Sequence, residues 1–236
     1  MFDRIVDRLD SVERERALML SSISHDLRTP LAALRASVEA IRDGVAADPD
    51  TYLSGMERQV RALADLVDDL QLHSRLVSGT IELRPVRVDL TELTDEAMET
   101  VRPLAASRAV ELRLDAAERV MLTADGPQLA RVVRNLLDNA IRHTPDGTAV
   151  TVSVASSGGA KGHREAVVRV ADEGDGFPDG FRSEAFDPFT RADPARDTRT
   201  GTAGLGLSIA RAIVGAHGGT IAIVDGPGGI VEVPFE

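Results

Sequence analysis

The sequence predicts an α plus α+β protein, in which a helical hairpin precedes a domain of mixed helices and strands. Up to about residue 78, apolar residues recur every three or four positions, which is the period of an amphipathic helix. From about residue 86, such helical stretches alternate with short segments in which apolar and polar residues alternate, the period of a β-strand. A chain of 236 residues has room for two modest domains of this kind.

The predicted hairpin covers residues 11–80 and carries one apolar stripe on each helix. The first stripe consists of Leu20, Ile23, Leu27, Leu31, Leu34, Val38 and Ile41, and the second of Leu53, Met56, Val60, Leu63, Val67 and Leu70. Asp48 and Pro49 are typical of the start of the second helix, as N-cap and first-turn proline. Two helices cannot cover both stripes, whereas a second copy would complete a four-helix bundle. The sequence therefore predicts a homodimer.

The predicted second domain covers residues 86–236. Helices are predicted at residues 90–104, 128–143 and 205–217, and strands at 110–114, 120–123, 150–155, 166–171, 220–224 and 230–234. A stretch rich in Gly, Asp and Pro at residues 172–204 is too long for an ordinary connection, which favours a binding loop or lid.

Composition excludes several classes of function. Because the chain has no cysteine, it has no disulfide, zinc–thiolate site, iron–sulfur cluster or cysteine nucleophile. Its formal charge of -11 argues against nucleic acid as a partner, since that needs a basic face. No apolar run approaches the roughly 20 residues of a membrane span, and no signal-peptide pattern is recognised.

A histidine early in the hairpin is a candidate nucleophile. His25 lies two positions from Ile23 and two from Leu27, so the helical period turns it away from the apolar stripe. A solvated imidazole is largely neutral near pH 7 and can act as a nucleophile. Asp26 beside it could orient the ring or take a proton. Taken alone, a solvated histidine without catalytic function is the more frequent explanation.

Three motifs in the second domain suit a nucleotide with a metal ion. Asn135 and Asn139 are four residues apart on one helix face, and their amide oxygens suit Mg²⁺. Asp172 follows a strand and could accept a hydrogen bond from an exocyclic amine, while the glycines after it allow close approach of a ligand. Residues 201–207 open a helix, where free N–H groups favour anions. Each motif alone is explained as well by ordinary structure.

In their order along the chain, these motifs resemble those of the sensor histidine kinases of two-component systems. Residues 24–31 are similar to the family's phospho-acceptor box, 135–143 to its N box, 172–177 to its first glycine box, 186–191 to its phenylalanine box and 201–207 to its second glycine box. The resemblance covers nearly the whole chain. Five boxes in the family's order and at similar spacing form a specific signal.

The resemblance implies an ATP-dependent histidine autokinase with a dimeric helical bundle and a Bergerat-type α/β-sandwich that binds ATP. It implies that His25 is the phosphorylated nucleophile, with Asp26 as base or orienter, and that an aspartate of a response regulator receives the phosphoryl group. By the same resemblance, Asn139 holds Mg²⁺ with support from Asn135. The residues that it assigns to the nucleotide are Asp172 for the adenine amino group, Gly174 and Gly176 for entry of the base, Arg142 and Arg191 for the phosphates, and Gly204, Leu205 and Gly206 for the phosphates through backbone N–H groups.

Two further resemblances concern the ends of the signalling path. Residues 1–10 resemble the end of a HAMP linker helix, so the chain is expected to be the cytoplasmic fragment of a membrane receptor. Contact with the membrane is then expected only through a preceding sensor region.

Asp26 and Thr29 are three residues apart on one helix face. They resemble the arrangement in family members that also dephosphorylate their regulator.

The sequence departs from the family in its adenine region. His143 stands where the family often has tyrosine, so its contact with the nucleotide ring is of uncertain strength. The final strand looks short, and Ile230 and Val231 lie where small hydroxyl residues are common. Somewhat weaker or altered adenine contacts are expected, without loss of catalysis.

Two alternatives from other classes stay open. The chain could be a nucleotide-binding dimer that signals by shape without kinase activity, although its boxes are intact. It could also be a chaperone- or topoisomerase-type ATPase. Such relatives place a glutamate in the N box as base for water, and Asn135 stands at that place here.

Overall fold

The computed structural model describes residues 23–24, 27–45, 48–77, 82–158, 164–178, 180–188, 190 and 204–235. The expected linker segment at residues 1–10 lies outside the described residues, as do three predicted site residues, His25, Asp26 and Arg191.

The N-terminal region is helical in two stretches. Helix α1 covers residues 27–42 of the described chain, and α2 covers Pro49–Val77. Helix α2 begins as predicted, because the Asp48 carboxylate accepts hydrogen bonds from the Asp50 N–H at 3.2 Å and the Thr51 hydroxyl at 2.5 Å. Several side chains of the two predicted stripes are 46% to 56% exposed, namely Leu31, Val38, Leu53, Val60 and Val67. The single chain therefore leaves about half the surface of these five side chains uncovered.

The second domain contains three helices and seven strands among its described residues. The helices are α3 (Leu90–Ser107), α4 (Gly126–His143) and α5 (Gly206–Ala216). The strands are β1 (Val86–Asp89), β2 (Glu111–Asp115), β3 (Met121–Ala124), β4 (Ala149–Gly158), β5 (Arg164–Asp172), β6 (Ala222–Ile223) and β7 (Ile230–Phe235). No described helix is both long and apolar enough to cross a bilayer.

Five strands form one mixed sheet in the order β2–β4–β5–β7–β6. Strands β2 and β4 pair in parallel and the other neighbours antiparallel, whereas β1 and β3 form a separate antiparallel pair. Helix α4 contacts α3, α5, β4 and β5, so the helices form a layer against the sheet. Alternate residues of the two longest strands face this layer and are buried, namely Val150, Val152, Val154, Ala166, Val168 and Val170.

Helix α4 begins two residues before its predicted start, with Asp125 as N-cap. The carboxylate of Asp125 accepts the Gln128 N–H at 3.2 Å, and Pro127 occupies the first turn, where no N–H partner is needed. The same carboxylate accepts the Arg84 N–H at 2.9 Å, which fixes the segment between the two domains against the start of α4. The apolar face of α4 is buried, and its polar face is left to line the site described below.

The elements predicted for the second domain are found, several with bounds shifted by a few residues. Strand β1 is missed by the sequence analysis, because it has four residues and its first two are exposed, so it shows no buried alternation. The strand expected at residues 220–224 shortens to Ala222–Ile223. The final strand, predicted at residues 230–234, covers Ile230–Phe235 and lies inside the sheet between β5 and β6, so its position is confirmed to within one residue.

The C-terminal half of α2 packs against the second domain. Leu72 is buried, and Leu66 and Leu70 pack against the same core. An ion pair crosses this contact between Asp69 and Arg131, with 2.5 Å between Oδ1 and Nη2. Burial raises the pKa of the Asp69 carboxyl, while the hydrogen bond and charge of Arg131 act in the opposite direction. Leu70, expected on the stripe that faces a second copy, instead belongs to this contact within the chain.

Candidate functional site

A cavity of about 480 Å³ lies between α4, the start of α5 and the loop after β5, with α2 as a further wall. This volume is in the range of small-molecule sites. The cavity collects most of the predicted nucleotide-binding residues that the structure describes. Those that line it are Asn135, Asn139, Arg142, His143, Asp172, Gly176, Gly204, Leu205 and Gly206.

The carboxyl group of Asp172 is buried at the end of β5 and held by the backbone. Its Oδ1 accepts the N–H of Gly174 at 2.8 Å and the N–H of Gly229 at 3.1 Å. No hydrogen bond from the described residues reaches Oδ2, which is therefore the oxygen left for a ligand. Burial raises the pKa of this carboxyl, and the two backbone donors and the charge of His143 oppose that rise.

Glycines around Asp172 leave no room for side chains. A Cβ at Gly174 would lie 2.6 Å from the His143 carbonyl oxygen, and one at Gly176 would lie 2.8 Å from the Gly228 carbonyl oxygen. Side chains at Gly228 and Gly229 would overlap the backbone and the carboxylate of Asp172 respectively. These spaces are filled by the protein's own atoms, so that admission of the base by Gly174 and Gly176 stays a prediction.

Gly228 and Gly229 lie against Asp172 and were not among the predicted site residues. In the sequence, residues 225–229 lie between two predicted strands, which indicates only a hairpin turn. Pairing of Ala171 with Ile230 brings this turn beside the end of β5. Gly229 also lines the cavity, whereas neither Ile230 nor Val231 does, and both of those side chains are buried. The only signal in the sequence was the high number of glycines in this run, and it does not indicate which part of the fold the turn contacts.

The polar face of α4 meets the first turn of α5. The Nδ2 amide group of Asn135 donates to the Gly206 carbonyl oxygen at 3.1 Å, and a Cβ at Gly206 would lie only 3.8 Å from the Asn135 side chain. Among the described residues, no side-chain hydrogen bond caps α5 at Leu205, and the first turn of that helix lies beside the cavity, where backbone N–H groups lack partners within the helix. This end of the cavity therefore suits an anion.

Several charged residues also line the cavity. Arg142 pairs with Asp138 four residues earlier, with 2.7 Å between Nε and Oδ2, and both line the cavity. Arg134 lines it too and was not predicted, because its sequence position carries no motif. From α2, Asp65 and Asp69 also line the cavity. These α2 residues lie far before α4 in the sequence, so no local sequence pattern could predict that they share a cavity with it.

The base of the predicted lid is described at residues 180–188. Arg182 forms an ion pair with Asp225 of the hairpin turn, and Asp187 accepts a hydrogen bond from Arg211 of α5 at 3.1 Å. Phe186 is buried in the core. The lid therefore starts from a base fixed on two sides. At the other end of the chain, Thr29 lies exposed on α1, next to the undescribed His25 and Asp26.

Family models match both regions of the chain. The model "His Kinase A (phospho-acceptor) domain" matches residues 15–79, and "Histidine kinase-, DNA gyrase B-, and HSP90-like ATPase" matches residues 124–235. The fold and the site thus define a protein with a phospho-acceptor region and an ATPase-type domain.

Individual proteins agree with this class. The chain is 33% identical to the signal transduction histidine-protein kinase BaeS of Escherichia coli (strain K12), over 100% of this chain and 50% of that protein. Its fold resembles the Acinetobacter baumannii histidine kinase AdeS with a TM-score of 0.70 and 24% identity, over 90% of this chain and 97% of that one. It also resembles full-length ShkA in complex with AMPPNP, with a TM-score of 0.65 and 25% identity, over 92% of this chain and 44% of that one.

The chain belongs to the sensor histidine kinases of two-component systems. The resemblance drawn from the five boxes is thereby confirmed, as is the fold of a helical region followed by an ATPase-type domain. The chain spans about half the length of the curated relatives that it matches.

Proposed function

We propose that this chain is the kinase part of a sensor histidine kinase, which binds Mg²⁺-ATP in the cavity and phosphorylates His25. The phosphoryl group then passes to an aspartate of a response regulator. One observation carries the proposal. A single cavity holds a buried carboxylate with one free oxygen, two asparagine amides and the open N-terminus of a helix. The complex of the structurally similar ShkA with AMPPNP supports it.

The residues of the cavity fit the parts of ATP. The free Oδ2 of Asp172 can accept a hydrogen bond from the adenine amino group, with His143 as neighbour to the base. The backbone N–H groups of Gly204, Leu205 and Gly206 and the guanidinium of Arg142 suit the phosphates. Arg191, outside the described residues, is proposed to approach the γ-phosphate during transfer.

The asparagine amides fit a magnesium site. Because the Nδ2 group of Asn135 donates to Gly206, its oxygen remains as an acceptor. Asn139 lies one turn further on the same face of α4 and is proposed as the main ligand, with Asn135 in support. Magnesium, when bound, neutralises charge on the phosphates and so stabilises the transition state of transfer.

The proposed transfer step moves the γ-phosphoryl group from ATP to His25. A ring nitrogen of His25 forms a bond to the γ-phosphorus while the bond from that phosphorus to the bridging oxygen breaks, and ADP leaves. Asp26 accepts the imidazole proton or orients the ring. The catalytic contribution of the protein is positioning and charge neutralisation, as expected for phosphoryl transfer.

Two proposals concern the surroundings of the kinase. The exposed apolar side chains on α1 and α2 are proposed to pack against a second copy as a four-helix bundle. Residues 1–10 are proposed to be the end of a linker helix from a membrane-bound sensor region, with the described domains on the cytoplasmic side.

The proposal is tested by incubating the protein with Mg²⁺ and ATP labelled at the γ-phosphoryl group. We expect a labelled protein whose phosphate is lost in acid and retained in base, as phosphohistidine requires. A protein that binds ATP but takes up no label would be a signalling module without kinase activity. Release of labelled phosphate without a labelled protein would instead indicate a chaperone-type ATPase.

Replacing Asn139 by alanine is expected to weaken ATP binding about tenfold in the presence of Mg²⁺, because one metal ligand is lost. In EDTA the variant and the wild type are expected to bind ATP with similar affinity. Calorimetric titrations of both proteins, with Mg²⁺ and with EDTA, measure the difference. An equal loss of ATP affinity with Mg²⁺ and with EDTA would show that Asn139 is not a metal ligand.

A phosphatase activity toward the phosphorylated regulator is proposed for Thr29. Thr29 is exposed on α1, four residues after His25 in the sequence, and its hydroxyl is proposed to hold a water molecule in line with a phospho-aspartate. Thr29→Ala is expected to keep autophosphorylation and to lose most of the phosphatase activity. Ser37→Ala, two turns further along α1, serves as the control. If both activities of the Thr29 variant fall together, the residue is structural, and if neither falls, it has no role in dephosphorylation.

A further inference from the structure

Arg108 occupies the C-terminal end of the N-box helix, outside the cavity. It follows α3, and its side chain is 30% exposed. Its Nη1 donates to the carbonyl oxygens of Ile141 at 2.5 Å and Arg142 at 2.6 Å. Its Nη2 donates to the Thr144 carbonyl oxygen at 3.2 Å. One guanidinium thus bonds three backbone carbonyls at and just beyond the last turn of α4.

The turn that follows α4 is tied to the same residue. Asp146 lies 3.0 Å from Nε and 2.9 Å from Nη2 of Arg108. The backbone carbonyl of Arg108 accepts the N–H of Gly147 at 3.3 Å. Side chain and backbone of one residue therefore hold both the helix end and the loop that leads into β4.

These contacts meet a specific need of a helix terminus. The last carbonyls of an α-helix lack partners within the helix and carry its negative dipole end. In α4 the Thr144 N–H satisfies only the Ala140 carbonyl. A planar, permanently charged guanidinium can bond several of the remaining carbonyls at once, which a single ammonium group does less well.

The turn that Arg108 holds also carries nucleotide-site residues. Arg142 and His143 line the cavity, whereas Arg108 does not. The His143 carbonyl oxygen lies against Gly174, at 2.6 Å from where a Cβ would be, and the N–H of Gly174 holds the Asp172 carboxylate. A shift of the last turn of α4 would therefore move the proposed adenine acceptor as well as the two cavity residues.

We infer that Arg108 is a positioning residue for nucleotide binding, which acts through the carbonyls of Ile141, Arg142 and Thr144. The inference rests on the proposed ATP site. Arg108 does not line the cavity, whereas the turn that it holds carries residues proposed to bind the nucleotide, so we expect the effect on nucleotide binding and not on the transfer step.

The test compares Arg108→Ala and Arg108→Lys with Arg102→Ala as matched control. Arg102 is also an arginine of α3, but it is exposed and pairs only with Glu99 among the described contacts. Autophosphorylation is measured as a function of ATP at a temperature well below each variant's unfolding. We expect KM for ATP to rise about tenfold in Arg108→Ala and less in Arg108→Lys, with kcat within about twofold of wild type. The control is expected to match the wild type.

A lowered Tm with an unchanged KM in the alanine variant would overturn the inference, because the role of Arg108 would then be structural only. If Arg108→Ala does not fold, KM of the lysine variant decides, a rise supporting the inference and a wild-type value overturning it. The two proposals fail separately. If the wild type does not bind ATP, the proposed function is contradicted. If the wild type binds ATP and the Arg108 variants have the same KM for ATP, only this inference is contradicted.

Discussion

Replacing His25 by glutamine is expected to reduce phosphorylation of the protein to background while its affinity for ATP stays at the wild-type value. Glutamine keeps a polar side chain of similar reach but has no nucleophilic nitrogen. The proposed ATP site consists of residues at and after α4 and β5 and at the start of α5, so we expect a substitution at position 25 to leave that site intact. Labelling with γ-phosphoryl-labelled ATP and calorimetric titration of a non-hydrolysable analogue measure the two properties.

His217 provides the control for this experiment. Its Nδ1 lies 2.8 Å from the Ile213 carbonyl oxygen, and its Nε2 accepts the N–H of Asp125 at 3.1 Å. Because both ring nitrogens are engaged inside the protein, this histidine is a poor acceptor for a phosphoryl group. We expect His217→Gln to label like the wild type in the fraction that folds. Acid-labile label that persists in His25→Gln would show that another residue is the acceptor.

Those parts of the site that lie on one element could be predicted from the sequence. Asn135 and Asn139 are four residues apart, so the helical period alone places them on one face, and both line the cavity. The start of α5 is similar, because a glycine-rich entry to an apolar helix predicts open N–H groups without knowledge of the rest of the chain. In both cases a local pattern contains the relevant geometry.

The remaining parts depend on contacts between distant segments. Gly229 reaches Asp172 only because β7 pairs with β5 in one particular register. The ion pair of Asp69 with Arg131 requires the C-terminal half of α2 to pack on the second domain. Arg108 lies more than thirty residues before the carbonyls that it bonds. Each of these features is common in sequences: a hairpin turn, an acidic residue on a helix and an arginine after a helix. The sequence therefore does not single them out, and their roles become visible only from their partners in the tertiary structure.

Asp172→Asn is expected to weaken nucleotide binding about a hundredfold while leaving the protein at least nearly as stable as the wild type. The amide is close to the carboxylate in shape, and its oxygen can still accept the N–H groups of Gly174 and Gly229. Its NH₂ group then stands where the free Oδ2 stood, and two donors face each other when adenine enters. Since this mismatch does not involve the metal, the loss is expected to be equal with Mg²⁺ and with EDTA.

The stability half of the prediction follows from the raised pKa of the buried carboxyl. A carboxyl whose pKa is raised by folding contributes a stabilisation that is present in acid and is lost as pH rises through the folded-state pKa. Wherever this carboxyl is ionised, the folded wild type bears a desolvation cost that the amide does not have, although the amide accepts weaker hydrogen bonds from the two backbone donors. We expect the free energy of unfolding at pH 7 to change by less than about 1 kcal/mol, and its dependence on pH in the acid range to become smaller.

Urea unfolding at pH 7 and at acid pH, together with titration of AMPPNP, measures both halves of the prediction on one variant. Asp175→Asn is the matched control, because it makes the same chemical change three residues along the same loop at an exposed carboxylate. The control is expected to match the wild type in affinity and in stability. If Asp172→Asn binds AMPPNP as tightly as the wild type, this carboxylate does not recognise the adenine base. A large loss of stability would mean instead that the ionised carboxylate serves mainly to hold the Gly174 loop and the Gly229 turn together.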